Sequence, residues 1–230
     1  ILGGSGNDLL RGGPGDDVLT GQLGDDTFVG GIGDDLLEES SNVNFILSNI
    51  VLLGIGTDSL SGINRAMLTG GNGKNTLDAA AFSLGPVTLV GGPGNDKLVG
   101  GSKSGQDARN PKILFGTNVL LGDDLRGGFG DDTLTGGRGN DTLDGGTEPG
   151  GNDKDVQLES GGLTALDTDA CVDIETVFLF GTSGPDLLTA LKLGFDGPVM
   201  FDGLEGNDTL EGGTFNDTRV GGMGDDNFVF

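Results

Sequence analysis

The sequence predicts an all-β fold, a parallel β-solenoid of stacked 18-residue coils with irregular insertions. A nine-residue pattern, G-G-x-G-x-D-x-U-x with U a large apolar residue, recurs along the 230-residue chain and uses many of its 49 glycines. Hydrophobic residues make up only 34% of the chain and the net charge is -24, a composition that by itself favours disorder. A disordered chain does not need apolar residues at fixed intervals, so the period indicates an ordered repeat fold.

Ten copies of the pattern are present, four of them in tandem at the start of the chain. Glycines allow the six-residue loop, GGxGxD, to turn tightly, and the other three residues alternate polar and apolar side chains as a one-sided strand does. Two copies form one coil, and coils stacked about 4.8 Å apart bury U residues such as Leu10 and Phe28 in a thin core. The copies are 3–11, 12–20, 21–29, 30–38, 91–99, 127–135, 136–144, 203–211, 212–220 and 221–229.

Two stretches interrupt the repeats. Residues 42–53 are apolar, which predicts two buried strand segments with a turn near Ser48, whereas residues 102–115 are rich in basic residues, which predicts an exposed excursion. Residues 58–79 align without gaps to residues 169–190, at an offset of 111 (169 minus 58), so we interpret the chain as two tandem modules of one solenoid. The predicted modules are 1–115 (nonapeptides 3–38, irregular stretch 39–57, degenerate coils 58–101, exposed excursion 102–115) and 116–230.

The aspartates indicate a cation. Carboxylates on one side of such a solenoid recur once per coil, in every second repeat, and repel one another unless a cation lies between them. Calcium accepts about six to eight oxygens in irregular geometry, whereas magnesium demands a tight octahedron, so calcium is the predicted ion. The net charge of -24 argues against nucleic acid as a partner. The aspartates spaced by one coil are Asp8 and Asp26, Asp17 and Asp35, Asp123 and Asp141, and Asp208 and Asp226.

The ten near-copies resemble the RTX, or hemolysin-type calcium-binding, nonapeptide repeat, whose fold is the β-roll. The ten copies of nine residues cover 90 of the 230 residues. The resemblance implies that several calcium ions bind, that the chain is secreted to the cell exterior by type I export, and that it folds on meeting external calcium. In the duplicated segments the loops depart from the pattern, with Asn75 in place of aspartate and Phe215 in place of the fourth glycine. We therefore expect fewer ions in the middle of the chain than at its ends.

The resemblance also implies a ligand scheme. One loop gives the carbonyls of its second and fourth residues and its Asp, and the loop one coil later gives the carbonyls of its first and third residues and its Asp. Gln22 replaces a glycine but is not a ligand in this scheme. The implied sites are Gly4, Gly6 and Asp8 with Gly21, Leu23 and Asp26; Gly13, Gly15 and Asp17 with Gly30, Ile32 and Asp35; and Leu204, Gly206 and Asp208 with Gly221, Met223 and Asp226, with Asp96, Asp123, Asp132, Asp141 and Asp217 as further ligands.

The leading hypothesis is a calcium-binding structural module of a bacterial surface or secreted protein. A second hypothesis is a self-assembling subunit of an extracellular fibre or adhesive layer, because Ile1 directly precedes a repeat, Phe230 directly follows one, and neither end carries a recognisable cap. Catalysis is not expected, since the chain has no His, Trp or Tyr and neither an HExxH nor a GxSxG motif. A membrane span is not expected either, because no apolar run approaches about 20 residues.

Overall fold

The structure, a computed structural model, describes residues 1–101, 124–129, 132–135, 142–146, 155–160, 170–172, 174–190, 195 and 197–229. These residues contain 23 strands, which alternate between two opposite faces except at an inserted hairpin. Within the described residues every strand pair is parallel except those made by one inserted strand, described below. The predicted parallel all-β solenoid is therefore confirmed.

The strands form three sheets in the described part of the chain. The front sheet has the order β1 (Leu2–Ser5), β3 (Val18–Leu23), β5 (Leu36–Ser40), β9 (Arg65–Thr69), β11 (Val87–Pro93), β13 (Asp124–Phe129), β15 (Thr142–Asp144) and β17 (Ala170–Val172). The back sheet has the order β2 (Leu9–Pro14), β4 (Thr27–Ile32), β8 (Thr57–Ser61), β7 (Val51–Leu53), β6 (Phe45–Ser48), β10 (Thr76–Ala81), β12 (Lys97–Val99), β14 (Thr133–Thr135), β16 (Val156–Ser160), β18 (Thr176–Phe180), β20 (Val199–Asp202) and β22 (Thr218–Val220). A terminal sheet has the order β19 (Leu187–Thr189), β21 (Thr209–Glu211) and β23 (Asn227–Val229).

The core lies between the faces and consists of the U residues. Leu10 is paired with Phe28 and Leu19 with Leu37, in each case from one coil to the next, and all four side chains are buried. Their neighbours along each strand point outward, as the period of two requires. Each such residue contributes about 1.5–3 kcal/mol relative to an exposed side chain, and this contribution is repeated coil after coil.

A hairpin inserted into the back sheet interrupts the regular coils. Strands β6 and β7 pair in antiparallel fashion, with Ile46 opposite Leu53, and β7 also runs antiparallel to β8. Phe45, Leu47 and Leu52 are completely buried, so the predicted pair of buried strands with a turn near Ser48 is confirmed. On the front sheet β5 and β9 are direct neighbours, so the hairpin makes the back sheet two strands, or roughly 9.6 Å, wider at this point.

The duplicated segments have matching cores. Ile63 and Ile174 are both buried, as are Leu77 and Leu188. The back sheet runs from β2 to β22 and so joins the two halves of the chain. The predicted excursion at 102–115 and the module boundary at 115–116 lie outside the described residues, and the division into modules stays a prediction. Among the described residues, no helix has the length and apolar character to cross a membrane.

Candidate metal centre

The aspartate at the sixth position of each loop joins it to the preceding coil. The backbone N–H of Asp8 donates to Asp26 Oδ1 at 2.8 Å, and the N–H of Asp17 donates to Asp35 Oδ1 at 3.0 Å. Asp208 N–H donates to Asp226 Oδ1 at 3.0 Å in the same way. These three predicted pairs are therefore stacked as the spacing of one coil requires, whereas Asp123 and Asp141 lie outside the described residues.

The ladder continues beyond the regular repeats with other spacings. Asp96 N–H donates to Asp132 Oδ1 at 2.7 Å, 36 residues later, and Asn75 N–H donates to Asp96 Oδ1 at 2.7 Å. Asp132 N–H in turn donates to Asp155 Oδ1 at 2.9 Å. The middle of the chain thus keeps the stacked carboxylates even where the nonapeptide is interrupted.

The second oxygen of these carboxylates distinguishes two kinds of loop. In six loops the Oδ2 atom of the sixth residue is buried and has no hydrogen-bond donor among the described residues, and we call these open loops. A buried polar group without a partner costs about 1–3 kcal/mol, and more when it is charged, so these atoms call for a cation. The six residues are Asp8, Asp17, Asp26, Asp35, Asp96 and Asp208.

Main-chain carbonyls converge on the same gaps between loops. Asp8 Oδ2 and the carbonyl oxygen of Gly21 each lie 2.9 Å from the point where a Cβ on Gly3 would stand. The scheme assigned both atoms to one site. The other two implied sites have the same arrangement, with Asp17 Oδ2 and the Gly30 carbonyl beside Gly12, and with Asp208 Oδ2 and the Gly221 carbonyl beside Gly203.

The third-position carbonyls take part in hydrogen bonds between loops. The carbonyl of Leu23 accepts from Gly6 N–H at 2.7 Å. A carbonyl has two lone pairs, so one remains for a metal ion. In the other two sites the carbonyls of Ile32 and Met223 accept from the N–H groups of Gly15 and Gly206, each at 2.8 Å. The second-position carbonyl of Leu204 also accepts a hydrogen bond, from Met223 N–H at 2.7 Å.

The second and fourth loop positions bring the backbones of successive coils together. Gly31 has φ +120°, and a Cβ there would collide with the carbonyl oxygen of Gly13. Gly4 is paired with Gln22 in the first coils, and Gln22 itself adopts φ 73°. Gln22 therefore keeps the left-handed backbone of the glycine that it replaces, a conformation that costs an L-residue about 1–2 kcal/mol.

A second ladder, which the sequence analysis missed, runs along the fifth loop position. Asn7 Oδ1 accepts from Asp25 N–H at 3.0 Å, and Asp16 Oδ1 accepts from Asp34 N–H at 2.8 Å. Here the earlier residue accepts, whereas in the sixth-position ladder the later one does. The signal was present, since the fifth residue is Asn or Asp in all ten copies of the pattern.

Glu39 is a second residue that the sequence analysis missed. It is 2% exposed, and Oε1 accepts from Gly21 N–H at 2.5 Å and from Gln22 N–H at 3.1 Å. Burial raises the pKa of Glu39. The nearby charges of Asp58 and Asp26 raise it further, whereas the hydrogen bonds from the two N–H groups lower it. Glu39 stands one coil length after Gly21, where a regular copy would begin with glycine, and this position is the signal in the sequence.

Three other loops satisfy the sixth residue from within the protein, and we call them closed loops. In loop 70–75, Gly71 N–H donates to Asn75 Oδ1 at 2.8 Å. In loop 181–186, Thr182 donates to Asp186 Oδ2 through its N–H at 2.5 Å and its Oγ1 at 2.9 Å. These two loops occupy equivalent positions in the duplicated segments, which agrees with the expectation that loops there bind fewer ions.

Loop 212–217 is closed by an arginine. Gly213 N–H donates to Asp217 Oδ2 at 2.9 Å, and Arg219 Nη2 lies 3.2 Å from the same oxygen. Arg219 occupies a U position, where its side chain is 10% exposed and lies 5.9 Å from the centre of the Phe201 ring. The predicted metal ligand Asp217 therefore has an internal cation as its partner.

Acidic side chains alone do not make a metal site in the described residues, because no group of three or more converges closely enough. The open loops differ from such a cluster, since they combine one or two carboxylates with several main-chain carbonyls. Calcium suits this mixture because it accepts carboxylate and carbonyl oxygens without strict geometry. The donor set of the open loops thus fits the predicted ion.

Comparison with protein families identifies the repeat. The model of the RTX calcium-binding nonapeptide repeat matches the chain in four copies, at residues 2–37, 84–102, 121–148 and 202–229. All six open loops lie within the matched segments. A search of curated proteins found no match to the chain.

Proposed function

We propose that this chain, which carries four copies of the RTX calcium-binding nonapeptide repeat, is a structural β-roll whose folding is coupled to calcium binding. The observation that carries the proposal is the set of buried Oδ2 atoms without hydrogen-bond donors in the open loops. Burying them without a cation opposes folding, so the ion and the coil should form together. The repeat family is a structural calcium-binding unit rather than an enzyme family.

The proposed calcium ligands are those that the resemblance implied, and the geometry of the open loops supports them. The loop pair 3–8 and 21–26 forms one site, and the pair 12–17 and 30–35 forms a second on the opposite side of the coil. A third lies between 203–208 and 221–226. Further carboxylate ligands are proposed at Asp96 and Asp132, and at Asp123 and Asp141 outside the described residues.

We place the chain outside the cell. RTX repeat proteins are typically extracellular or secreted, and the four matched segments support the same for this chain. A fold that needs cations to neutralise a net charge of -24 suits a compartment where calcium is about millimolar. Export by a type I system follows from the resemblance and is part of the proposal.

Assembly into a fibre is an alternative role, favoured by the open edges of the sheets. Among the strands that the structure describes, β2 is paired with β4 alone, and Leu2 and Leu9 at this end are 65% and 57% exposed. Another coil could stack there, either from a longer solenoid or from a second copy. Sedimentation velocity with calcium tests this role: growth of the sedimentation coefficient with protein concentration supports the fibre, and a constant monomer value rejects it.

Native mass spectrometry after removal of metal with EGTA tests the proposed function. Titration with calcium should load several ions, and magnesium at equal concentration should load fewer. The variant Asp208→Asn should lose an ion, because it removes a carboxylate from an open loop while keeping an oxygen for its neighbour. A chain that takes up no calcium under these conditions would contradict the proposal.

A further inference from the structure

The inserted hairpin divides one loop of the solenoid into two parts. Residues 56–58, after the hairpin, stack on the second half of loop 21–26. Thr57 N–H donates to Asp25 Oδ1 at 2.9 Å, and Asp26 N–H donates to Asp58 Oδ1 at 2.9 Å. A Cβ on Gly56 would collide with the Gly24 carbonyl oxygen. Regular loops in successive coils make the same contacts.

The first half of the divided loop precedes the hairpin. Glu39 accepts the N–H of Gly21, so it lies beside the first residue of loop 21–26. After Asp58, the strand β8 places Leu60 opposite Phe28, which is the U position of the previous coil on this face. Residues 39–41 and 56–61 therefore form one nonapeptide, E-S-S-G-T-D-S-L-S, interrupted by the inserted segment 42–55.

The separation of the stacked aspartates fits this interpretation. Asp26 and Asp58 are 32 residues apart, whereas regular pairs such as Asp8 and Asp26 are 18 apart, and the difference (32 minus 18) equals the length of the inserted segment 42–55. We call residues 39–41 and 56–58 together the split loop. The first of the four segments that match the repeat family ends at residue 37, before the split loop begins.

The gap between loop 21–26 and the split loop concentrates negative charge. Asp26, Glu39 and Asp58 are only 1%, 2% and 2% exposed. Asp26 Oδ2 lies beside Gly21 and has no hydrogen-bond donor among the described residues. Burial raises the pKa of Asp58, and Asp26 adds to the rise for both Asp58 and Glu39. Three buried acidic side chains therefore lie in one gap.

The Oδ2 atom of Asp26 is not explained by the regular sites. In the site formed with loop 3–8, the carboxylate beside the Gly21 carbonyl is that of Asp8. Asp26 Oδ2 lies beside Gly21 just as Asp8 Oδ2 lies beside Gly3, and Asp8 Oδ2 there shares the gap with a carbonyl of the loop one coil later. The loop one coil after loop 21–26 is the split loop, so by the same arrangement an ion bound by Asp26 Oδ2 lies between the two.

We infer that the split loop forms an additional calcium site with loop 21–26, in which Asp26 and Asp58 supply carboxylates and Gly24 supplies a carbonyl. Glu39 adds a third negative charge, which a regular loop lacks because glycine occupies that position. The three acidic side chains do not form a sufficient ligand group alone, so main-chain oxygens complete the site as in the open loops. The inference rests on the proposed calcium-binding function and extends it to residues 39–58.

Native mass spectrometry of the full chain loaded with calcium tests the site. Asp58→Asn should bind one ion fewer than the parent chain, and it keeps an Oδ1 acceptor for the Asp26 N–H. Asp16→Asn is the matched control, since it removes the same charge from an exposed residue of the fifth-position ladder and should leave the ion count unchanged. Glu39→Gln should lower the affinity for one calcium ion by about 10- to 100-fold and should leave the binding of the other ions unchanged.

The outcomes separate this inference from the proposed function. If Asp208→Asn loses an ion and Asp58→Asn does not, the split-loop site is wrong and the calcium-binding β-roll stands. If the parent chain takes up no calcium, the proposed function itself fails. Should Asp58→Asn not fold, anomalous diffraction from a crystal of the parent chain grown with calcium decides the matter: a peak between Asp26 and Asp58 supports the site, and its absence there beside peaks in the regular loops overturns it.

Discussion

Two glycines with the same backbone angle provide a matched test of the stacked loops. Gly4 and Gly31 both have φ +120°, but a Cβ on Gly4 would meet nothing within 4 Å, whereas a Cβ on Gly31 would collide with the carbonyl oxygen of Gly13. Alanine at either position carries the same backbone strain, about 1–3 kcal/mol. Replacing glycine by alanine also lowers the conformational entropy of the unfolded chain, and this stabilising effect is the same at both positions. The difference between the variants therefore isolates the close approach of the two coils.

The expected magnitudes follow from this difference. Gly4→Ala should lower the free energy of unfolding by about 1–3 kcal/mol through backbone strain alone. Gly31→Ala should lower it by a further 1–3 kcal/mol, roughly the cost of overpacking, because the obstacle is a main-chain carbonyl that cannot rotate away. Gly13 is also a proposed calcium ligand, so Gly31→Ala should raise the calcium concentration needed for folding.

Urea unfolding followed by circular dichroism in saturating calcium measures both variants, with the parent chain as reference. A calcium titration at constant urea then gives the concentration at half-folding. Equal losses of stability for Gly4→Ala and Gly31→Ala would refute the stacked-loop geometry, because strain alone would then explain both. An unchanged calcium midpoint in Gly31→Ala would refute the role of the Gly13 carbonyl.

The buried charges lead to two further predictions. The raised pKa values of Glu39, Asp58 and Asp96 mean that the folded state holds protons more tightly than the unfolded one, so without calcium acid favours folding. The β-structure that the calcium-free chain forms should therefore be greatest near pH ~4 and should decrease as the pH rises. A circular dichroism signal that instead grows over this range would contradict the assignment. Arg219→Leu should lower the free energy of unfolding by about 3–5 kcal/mol, since it leaves Asp217 buried without a cation. Adding Asp217→Asn to that variant should restore part of the loss in the same urea assay, and an equal or larger loss in the double variant would show that the pair is not coupled.

The sequence was sufficient for the solenoid and for the regular loops. The period of nine places Leu10, Leu19 and Phe28 inside and the sixth-position aspartates in register, since both follow from stacking alone. The buried strands of the hairpin could also be predicted, because Phe45 belongs to an apolar stretch with a turn signal after it. Features that a local sequence pattern determines could therefore be predicted from the sequence.

The rest depended on contacts between distant parts of the chain. The split loop was hidden because the hairpin separates Glu39 from Asp58, and no pattern of fixed length spans such an insertion. Arg219 takes the place of the apolar residue in its repeat, and its role depends on Asp217 and on the ring of Phe201 from the neighbouring strand. The fifth-position ladder was visible in every copy but has meaning only once the coils are stacked.

Refolding of the chain from urea tests the central claim most directly. Unfolding first in EGTA removes any ion that a native solenoid would retain. Dilution into EGTA should give little β-structure by far-ultraviolet circular dichroism, and subsequent addition of calcium, but not of magnesium at equal concentration, should restore it. Recovery of the full β-structure spectrum in EGTA alone would contradict the coupling of folding to calcium on which the account depends.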